Sequence, residues 1–209
     1  LVSSYTVQQP LAPRTVIAPI RDGVVHFPTT RGTIEVPCRP FLGTIGVAPA
    51  AERRLSFMQG PEFLGNCDLP LNGIGATIVM RANVPGALVS FGDAHAVQGD
   101  GEISGAAIEC QADVICRIDR IPAAEAEYVG LPQVNTDEFI GSIGAFAGVN
   151  LGDVVRAAYV DVIQRMVRFH GFELEEAYLL AAQTARVHVG QIVDPLYCAA
   201  VTIDRRFLG

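Results

Sequence analysis

The chain has 209 residues, and all 15 of its basic residues are arginine because no lysine occurs in it. Mechanisms that depend on a lysine, including P-loop phosphate binding, Schiff-base chemistry and the Ser-Ser-Lys and Glu-Lys-Cys amidase triads, are therefore excluded within this chain. The net charge of −7 disfavours nucleic acid as a partner, and no apolar stretch approaches the roughly 20 residues of a membrane span. We expect a cytoplasmic protein that binds neither nucleic acid nor a membrane.

Short apolar runs broken by glycine and proline fill the first part of the chain. They predict strands at Thr15–Ala18, Gly32–Val36 and Ala76–Met80. From Ile108 to Ile118 apolar and polar residues alternate strictly. This alternation predicts a long strand with one buried face in an antiparallel sheet.

The hydrophobic period becomes helical in the last third of the chain. It predicts an amphipathic helix over Asp153–His170, which Gly171 terminates, and a second helix from Leu174 to about Thr184. Apolar runs then return to strand at Val187–Val189, Ile192–Val193 and Cys198–Ile203.

The order of these elements predicts an α+β fold: a mostly antiparallel, β-sandwich or barrel-like body with two C-terminal helices and a closing β-hairpin. We expect two units, a β-rich body over residues 1–121 and an α+β subdomain over residues 122–209 packed on it.

The densest polar cluster is Gly92–Glu102, whose glycines around Asp100 predict the turn of a hairpin. In an extended strand, Asp93 and His95 point to the same side, so a carboxylate and an imidazole can hold one metal ion. Glu102 lies just past the turn and can reach the same site from the neighbouring strand. An apolar setting would raise the pKa of Glu102 and divide the two carboxylates into a ligand and a general base.

Each of these residues also has a structural interpretation. Asp100 between glycines is typical of a turn, and an Asp-x-His pair is often only a hydrogen-bonded surface pair. Asp68 is either a third metal ligand or a turn carboxylate, and Cys67 beside it is either a nucleophile or a buried thiol. Glu109, further along the predicted long strand, can join the site as well.

Several separate stretches resemble the acetamidase/formamidase family of amide hydrolases. In chain order they are Arg39–Pro49, Gly65–Asp68, Pro85–Leu88, Gly92–Glu102, Gly105–Glu109 and Glu175–Pro195. The first contains Gly-Thr-Ile-Gly-Val-Ala-Pro and the second resembles the family's Gly-Asn-x-Asp. The resemblance extends from about Cys38 to Gly209.

The resemblance implies a metal-dependent hydrolase of non-peptide C–N bonds in small amides such as formamide or acetamide, with a divalent metal, expected to be zinc. Carried over by position, Asp68, Asp93 and His95 are metal-site residues, and Glu102 and Glu109 are catalytic acid/base or orienting carboxylates. In this hypothesis the ion activates a water, Glu102 takes its proton, and ammonia or an amine leaves from the attacked amide.

The sequence departs from the family pattern at its start, because a substantial β-rich segment normally precedes the Gly-Thr-Ile-Gly stretch. We therefore expect the C-terminal portion of a split or processed enzyme, with a second polypeptide that supplies the missing N-terminal segment. The resemblance also implies an oligomer.

Two alternatives stay open. Apolar Leu69–Leu71 replaces polar residues that follow Asp68 in the family, which favours a lactamase or a specialised amidase for a larger substrate. The short start favours a non-catalytic subunit or binding module of the same fold.

Overall fold

The computed structural model describes residues 11–12, 14–121, 129–193 and 196–209. Within these residues the chain forms three antiparallel sheets and two α-helices. The predicted α+β class is confirmed.

The strands divide into three groups in chain order. The first sheet contains β1 (Ile20–Arg21), β2 (Val24–Thr29) and β3 (Gly32–Pro37), in that order. The second contains β4 (Phe41–Gly46), β5 (Gln59–Gly60), β6 (Leu64–Asn66) and a later strand, β8 (Ser90–His95), in the order β5-β6-β4-β8. The third contains β7 (Thr77–Val79), β9 (Gln133–Asn135), β10 (Phe139–Ala147), β11 (Arg186–Val189) and β12 (Leu196–Asp204), in the order β11-β12-β10-β9-β7.

The two helices begin and end close to the predicted residues. Helix α1 spans Leu151–His170, and helix α2 spans Leu174–Thr184. Asn150 caps α1 by accepting a hydrogen bond from the Asp153 amide, and Gly171 ends it with a left-handed φ of 71°, the conformation that glycine adopts without strain. No helix among the described residues is both long and apolar enough to span a membrane.

The third sheet is the middle layer of the molecule and is buried on both faces. Because side chains alternate along a strand, one face packs on the helices and the other on the second sheet. Ile140, Val201 and Ile203 belong to the cluster that includes the buried side of α1. Ile143, Cys198 and Ala200 belong to the cluster that includes Leu64 and Leu69. The second sheet is thereby held against the third by an apolar core.

The predicted long strand at Ile108–Ile118 is wrong for most of its length. Residues 108–110 run antiparallel to the end of β8, but residues 111–121 form no strand and are exposed, with Ile115 fully exposed. Asp93, the next residue of β8 that the pairing would reach, has a left-handed φ of 59°. This backbone interrupts the ladder, because a strand needs extended φ values.

Two shorter predicted strands are also wrong. Thr15–Ala18 lies outside any strand, and the strand β1 begins only after Pro19. Ile192–Val193 is likewise not a strand, since β11 ends at Val189 and the chain turns before β12.

The proposed division into 1–121 and 122–209 stays a prediction. Residues 122–128, at the expected boundary, lie outside the described residues. Strand β7 comes from the first predicted unit and pairs with β9 of the second, so the two units share the third sheet.

Candidate functional site

The candidate site lies on the paired strands β4 and β8. Phe41 pairs with His95, and Thr44 pairs with Gly92, so Gly43 lies opposite Asp93. The Phe41 ring meets the His95 imidazole edge to face, with the ring centroids 4.9 Å apart. His95 is only 1% exposed, and this contact restricts the orientation of its ring.

Asp68 reaches the same place from the turn after β6. The backbone amides of Cys67 and Asp68 both donate to the Gly43 carbonyl at 3.1 Å, which wraps the chain around β4. Asn66 Nδ2 donates to Asp68 Oδ2 at 2.7 Å, and Thr44 Oγ1 donates to Asn66 Oδ1 at 2.5 Å. This relay of hydrogen bonds fixes one oxygen of the Asp68 carboxyl.

Glu102 and Glu109 come from the loop that follows β8. The loop is anchored to the third sheet, since the Gly101 amide donates to the carbonyls of Val189 and Gly190 at 3.0 and 3.1 Å. Glu109 forms an isolated bridge with His95, and its Oε1 accepts a hydrogen bond from the Ala107 amide at 3.0 Å.

The structure brings all five predicted site residues together. Donor atoms of Asp68, Asp93 and His95 lie within 4.8 Å of one another, and so do those of His95, Glu102 and Glu109. His95 Nε2 lies 3.4 Å from Asp93 Oδ1 and 3.3 Å from Glu109 Oε2. The same imidazole nitrogen therefore faces both groups of carboxylates.

Burial and mutual repulsion make the ionised forms of the clustered carboxyl groups unfavourable. Burial raises the pKa of Asp68 to about 9, and the charge of the neighbouring Glu102 adds to the rise. Burial also raises the pKa of Glu102, although His95 acts in the opposite direction. Four carboxyl groups share one imidazole, so a further positive charge would stabilise their ionised forms.

The backbone is strained at the same residues. Asp68, Asp93 and Glu102 have φ values of 44°, 59° and 45°, in the left-handed region that side chains other than glycine rarely occupy. Such conformations typically cost about 1–3 kcal/mol each and cluster at functional sites. Four residues outside the cluster, Asp22, Leu64, Ala87 and Leu88, also have positive φ values, so this backbone conformation is not confined to the site.

Comparison with known proteins identifies the family. The model of the Acetamidase/Formamidase family matches residues 47–206, which include all five candidate residues. The chain belongs to the Acetamidase/Formamidase family. A Schizosaccharomyces pombe protein named as a formamidase is 50% identical over 55 residues, which are 26% of this chain and 13% of that protein.

Solved structures of acetamidases have a similar fold. The Yersinia enterocolitica acetamidase is 30% identical with a TM-score of 0.75, and the match covers 92% of this chain and 56% of that one. The Bacillus halodurans acetamidase is 26% identical with a TM-score of 0.76, and the match covers 92% of this chain and 63% of that one. The chain thus spans less than two thirds of the length of these solved relatives.

The donor set of this family member is suited to a divalent cation. Oδ1 of Asp68 is buried and has no hydrogen-bond partner among the described residues, which is costly for a polar atom unless a ligand satisfies it. A Cβ placed on Gly43 would lie 2.4 Å from this oxygen and 2.7 Å from Asp93 Oδ2. One imidazole nitrogen and several carboxylate oxygens around a small space are ligands that zinc accepts.

Three contributors to the site were not singled out by their chemistry in the sequence. Gly43 provides space rather than a functional group, so only its place in the Gly-Thr-Ile-Gly stretch marks it. Asn66 and Gln98 stand inside the family-like motifs, and their amides contact Asp68 and His95. A polar side chain two or three residues from a candidate ligand is the signal that could have identified both.

Two other sequence candidates lie outside the cluster. Asp100 is exposed in the turn before Gly101, in agreement with its interpretation as a turn residue. Cys67 is fully buried in the core between the sheets, and its thiol accepts a hydrogen bond from Asn72 Nδ2 at 3.3 Å. This burial favours its interpretation as a buried thiol.

Proposed function

We propose that this chain carries the metal-dependent centre of a hydrolase of small non-peptide amides such as formamide and acetamide. Asp68, Asp93 and His95 would hold a divalent cation, with zinc as the expected ion. The observation that carries the proposal is the unpartnered, buried oxygen of Asp68, which lies over Gly43 beside the Asp93 carboxylate and the His95 ring. Membership of the Acetamidase/Formamidase family supports the class of reaction.

A bound divalent cation would polarise the amide carbonyl and make a water molecule more acidic. Glu102 would then move the proton: its carboxylate takes a proton from the attacking water and returns it to the departing nitrogen. The products are a carboxylic acid and ammonia or an amine. The raised pKa of Glu102 suits this role, since a general base is most effective when its pKa lies near the working pH.

Glu109 would act as an orienting group. Its Oε1 is held by the Ala107 amide, and its Oε2 lies 3.3 Å from His95 Nε2. One end of the carboxylate is therefore fixed by the backbone while the other faces the cluster, which positions charge without requiring a proton transfer.

Removal of the metal tests the proposal. We expect the purified protein to contain about one zinc per chain, to release ammonia from formamide or acetamide, to lose this activity on chelation and to regain it with Zn²⁺. Metal content is measured by mass spectrometry, and Mg²⁺ is the control addition. A metal-free preparation with full activity would refute the metal dependence. A zinc-loaded preparation that keeps any bound polypeptide but has no activity would favour the non-catalytic alternative.

The structure offers little support for a specialised pocket at Leu69–Leu71. Leu69 is fully buried between the sheets, and Leu71 packs against the same core. These leucines fill the core instead of widening the site, so small amides are the favoured substrates. A panel that includes lactams checks this choice.

We also propose that a second polypeptide binds this chain. The cytoplasmic location expected from composition is part of the same proposal. The chain spans 56% and 63% of two solved relatives, and Val114, Ile115 and Ile118 expose apolar side chains in the unpaired segment 111–121. We expect a polypeptide that corresponds to the remaining length of the relatives to cover this segment. A second species of matching mass in a denaturing gel of the natively purified protein supports this, and a single species of this chain's mass contradicts it.

A further inference from the structure

We propose that Gln98 is a positioning residue that determines which nitrogen of His95 binds the metal. The inference rests on the proposed metal centre but concerns the imidazole itself. Gln98 is partly buried between the second and third sheets, and its carboxamide touches three groups that must be aligned for the site to form.

The contacts of the carboxamide determine its orientation. Gln98 Nε2 donates to the carbonyl of Asp68 at 2.7 Å and to the carbonyl of Gly190 at 3.0 Å. Both of its N–H groups are thereby used. The reversed orientation would place the amide oxygen against two carbonyl oxygens, so Oε1 must be the atom that faces His95.

The orientation of Gln98 in turn selects the tautomer of His95. Gln98 Oε1 lies 2.8 Å from His95 Nδ1 and can only accept a hydrogen bond. His95 Nδ1 must therefore carry a proton. In the neutral imidazole, Nε2 is then the nitrogen with an available lone pair, and it is also the nitrogen that faces Asp93 and Glu109.

The alternative tautomer of His95 shows why the hydrogen bond from Nδ1 to Gln98 matters for metal binding. With the proton on Nε2, the imidazole would donate to the neighbouring carboxylates and have no lone pair for a metal on that side. Gln98 disfavours this arrangement because its Oε1 accepts a hydrogen bond only from a protonated Nδ1. Outer groups of this kind typically change metal affinity by about 10–100-fold.

Gln98 also links the ligands to one another. It joins the ring of His95 on β8 to the backbone of Asp68 after β6 and to Gly190 after β11. A single side chain thus ties two metal-site residues to the third sheet. We expect replacement of this one side chain to weaken the positioning of both His95 and Asp68.

Nitrogen NMR of Zn²⁺-loaded protein labelled with ¹⁵N-histidine tests the inference directly. The chain has four histidines, so the signals can be assigned by substitution. In the unaltered protein we expect zinc on His95 Nε2 and a slowly exchanging proton on Nδ1. Zinc on Nδ1, or no proton there, would overturn the proposal whether or not any variant folds.

The substitution Gln98→Met removes both the acceptor and the donors at similar length. We expect the affinity for Zn²⁺, measured by calorimetry, to fall by about 10–100-fold and the Nδ1 proton to exchange faster. Gln111→Met makes the same change at an exposed glutamine and should leave both measurements unchanged. Equal Zn²⁺ affinity in the Gln98→Met variant and the unaltered protein would contradict the role of Gln98.

The substitution Gln98→Glu separates the two parts of the role. Its carboxylate still accepts from Nδ1 but cannot donate to the two carbonyls, so we expect the Nδ1 proton to persist while the free energy of unfolding falls. Loss of that proton in this variant would contradict the proposal. None of these measurements uses amide hydrolysis. A natively purified protein that keeps any bound polypeptide and binds Zn²⁺ but releases no ammonia would refute the proposed function and leave the assignment of Gln98 standing.

Discussion

Replacing Asp68 with asparagine is expected to stabilise the metal-free protein at neutral pH while it abolishes metal binding. Asp68 is 1% exposed, and burial raises its pKa to about 9. Ionising this carboxyl in the folded chain is therefore unfavourable. An asparagine keeps the hydrogen bond from Asn66, places an N–H group where the unpartnered oxygen lies and carries no charge.

The pH dependence follows from the direction of the shift. A carboxyl whose pKa is raised in the folded state stabilises the fold fully below its unfolded value, near 4, and this stabilisation is lost as the pH rises towards 9. One pKa unit corresponds to about 1.4 kcal/mol, and the neighbouring carboxylates share the shift, so we expect Asp68→Asn to gain about 1–3 kcal/mol at pH 7.

Urea unfolding of the metal-free proteins at pH 5, 7 and 9 measures the effect. The difference between the two proteins should increase with pH, and Asp113→Asn, at an exposed carboxylate, should show no such trend. Calorimetry with Zn²⁺ should show a loss of affinity of more than about 100-fold in Asp68→Asn alone. A variant that is less stable than the unaltered protein at pH 9 would show that ionisation of Asp68 does not destabilise the folded protein.

The helices and the class of fold could be predicted because they depend on local patterns. Apolar residues at helical spacing and the terminating Gly171 suffice to define α1, since a helix makes its hydrogen bonds within itself. A strand needs a partner. The alternation at Ile108–Ile118 is as regular as the helical pattern, yet the ladder ends where Asp93 adopts a left-handed backbone.

The site could be predicted only in part, for a related reason. Asp93 and His95 are two residues apart in the sequence. The predicted hairpin does not place Glu102 on a neighbouring strand, because the chain pairs with β8 only at residues 108–110 and Glu102 lies in the loop before them. For Asp68 the residues alone left a third ligand and a turn carboxylate open, and the family resemblance favoured the ligand. The turn around the Gly43 carbonyl that brings Asp68 to the cluster is a long-range contact. Functional groups can be read from a sequence, whereas the space between them and the strain of their backbones depend on the assembled sheets.

The substitution Gly43→Ala is expected to fill the space between the carboxylates and to abolish both metal binding and activity. The added Cβ would lie 2.4 Å from Asp68 Oδ1, 2.7 Å from Asp93 Oδ2 and 3.1 Å from His95 Cε1. Both carboxylate oxygens must move away from the new methyl group, and the His95 ring must give by a few tenths of an ångström. A displacement of about 1 Å at a catalytic site commonly costs 100-fold in rate, so we expect a loss of at least this size.

The effect on stability should be smaller than the effect on function. Gly43 does not have a left-handed backbone, so alanine suits the strand and only the crowding is unfavourable, at about 1–3 kcal/mol. Gly92→Ala is a matched control, since Gly92 lies on β8 with no atom within 4 Å of its added Cβ. Calorimetry with Zn²⁺ and release of ammonia from formamide measure both variants.

The comparison separates crowding at the metal site from a general intolerance of the strands. If Gly43→Ala folds and still binds Zn²⁺ as tightly as Gly92→Ala, the space over Gly43 does not hold the ion, and the ligand set built on Asp68, Asp93 and His95 is wrong. If only Gly43→Ala loses zinc, the result supports an ion held among these three side chains, because the three atoms nearest to the new methyl group belong to them.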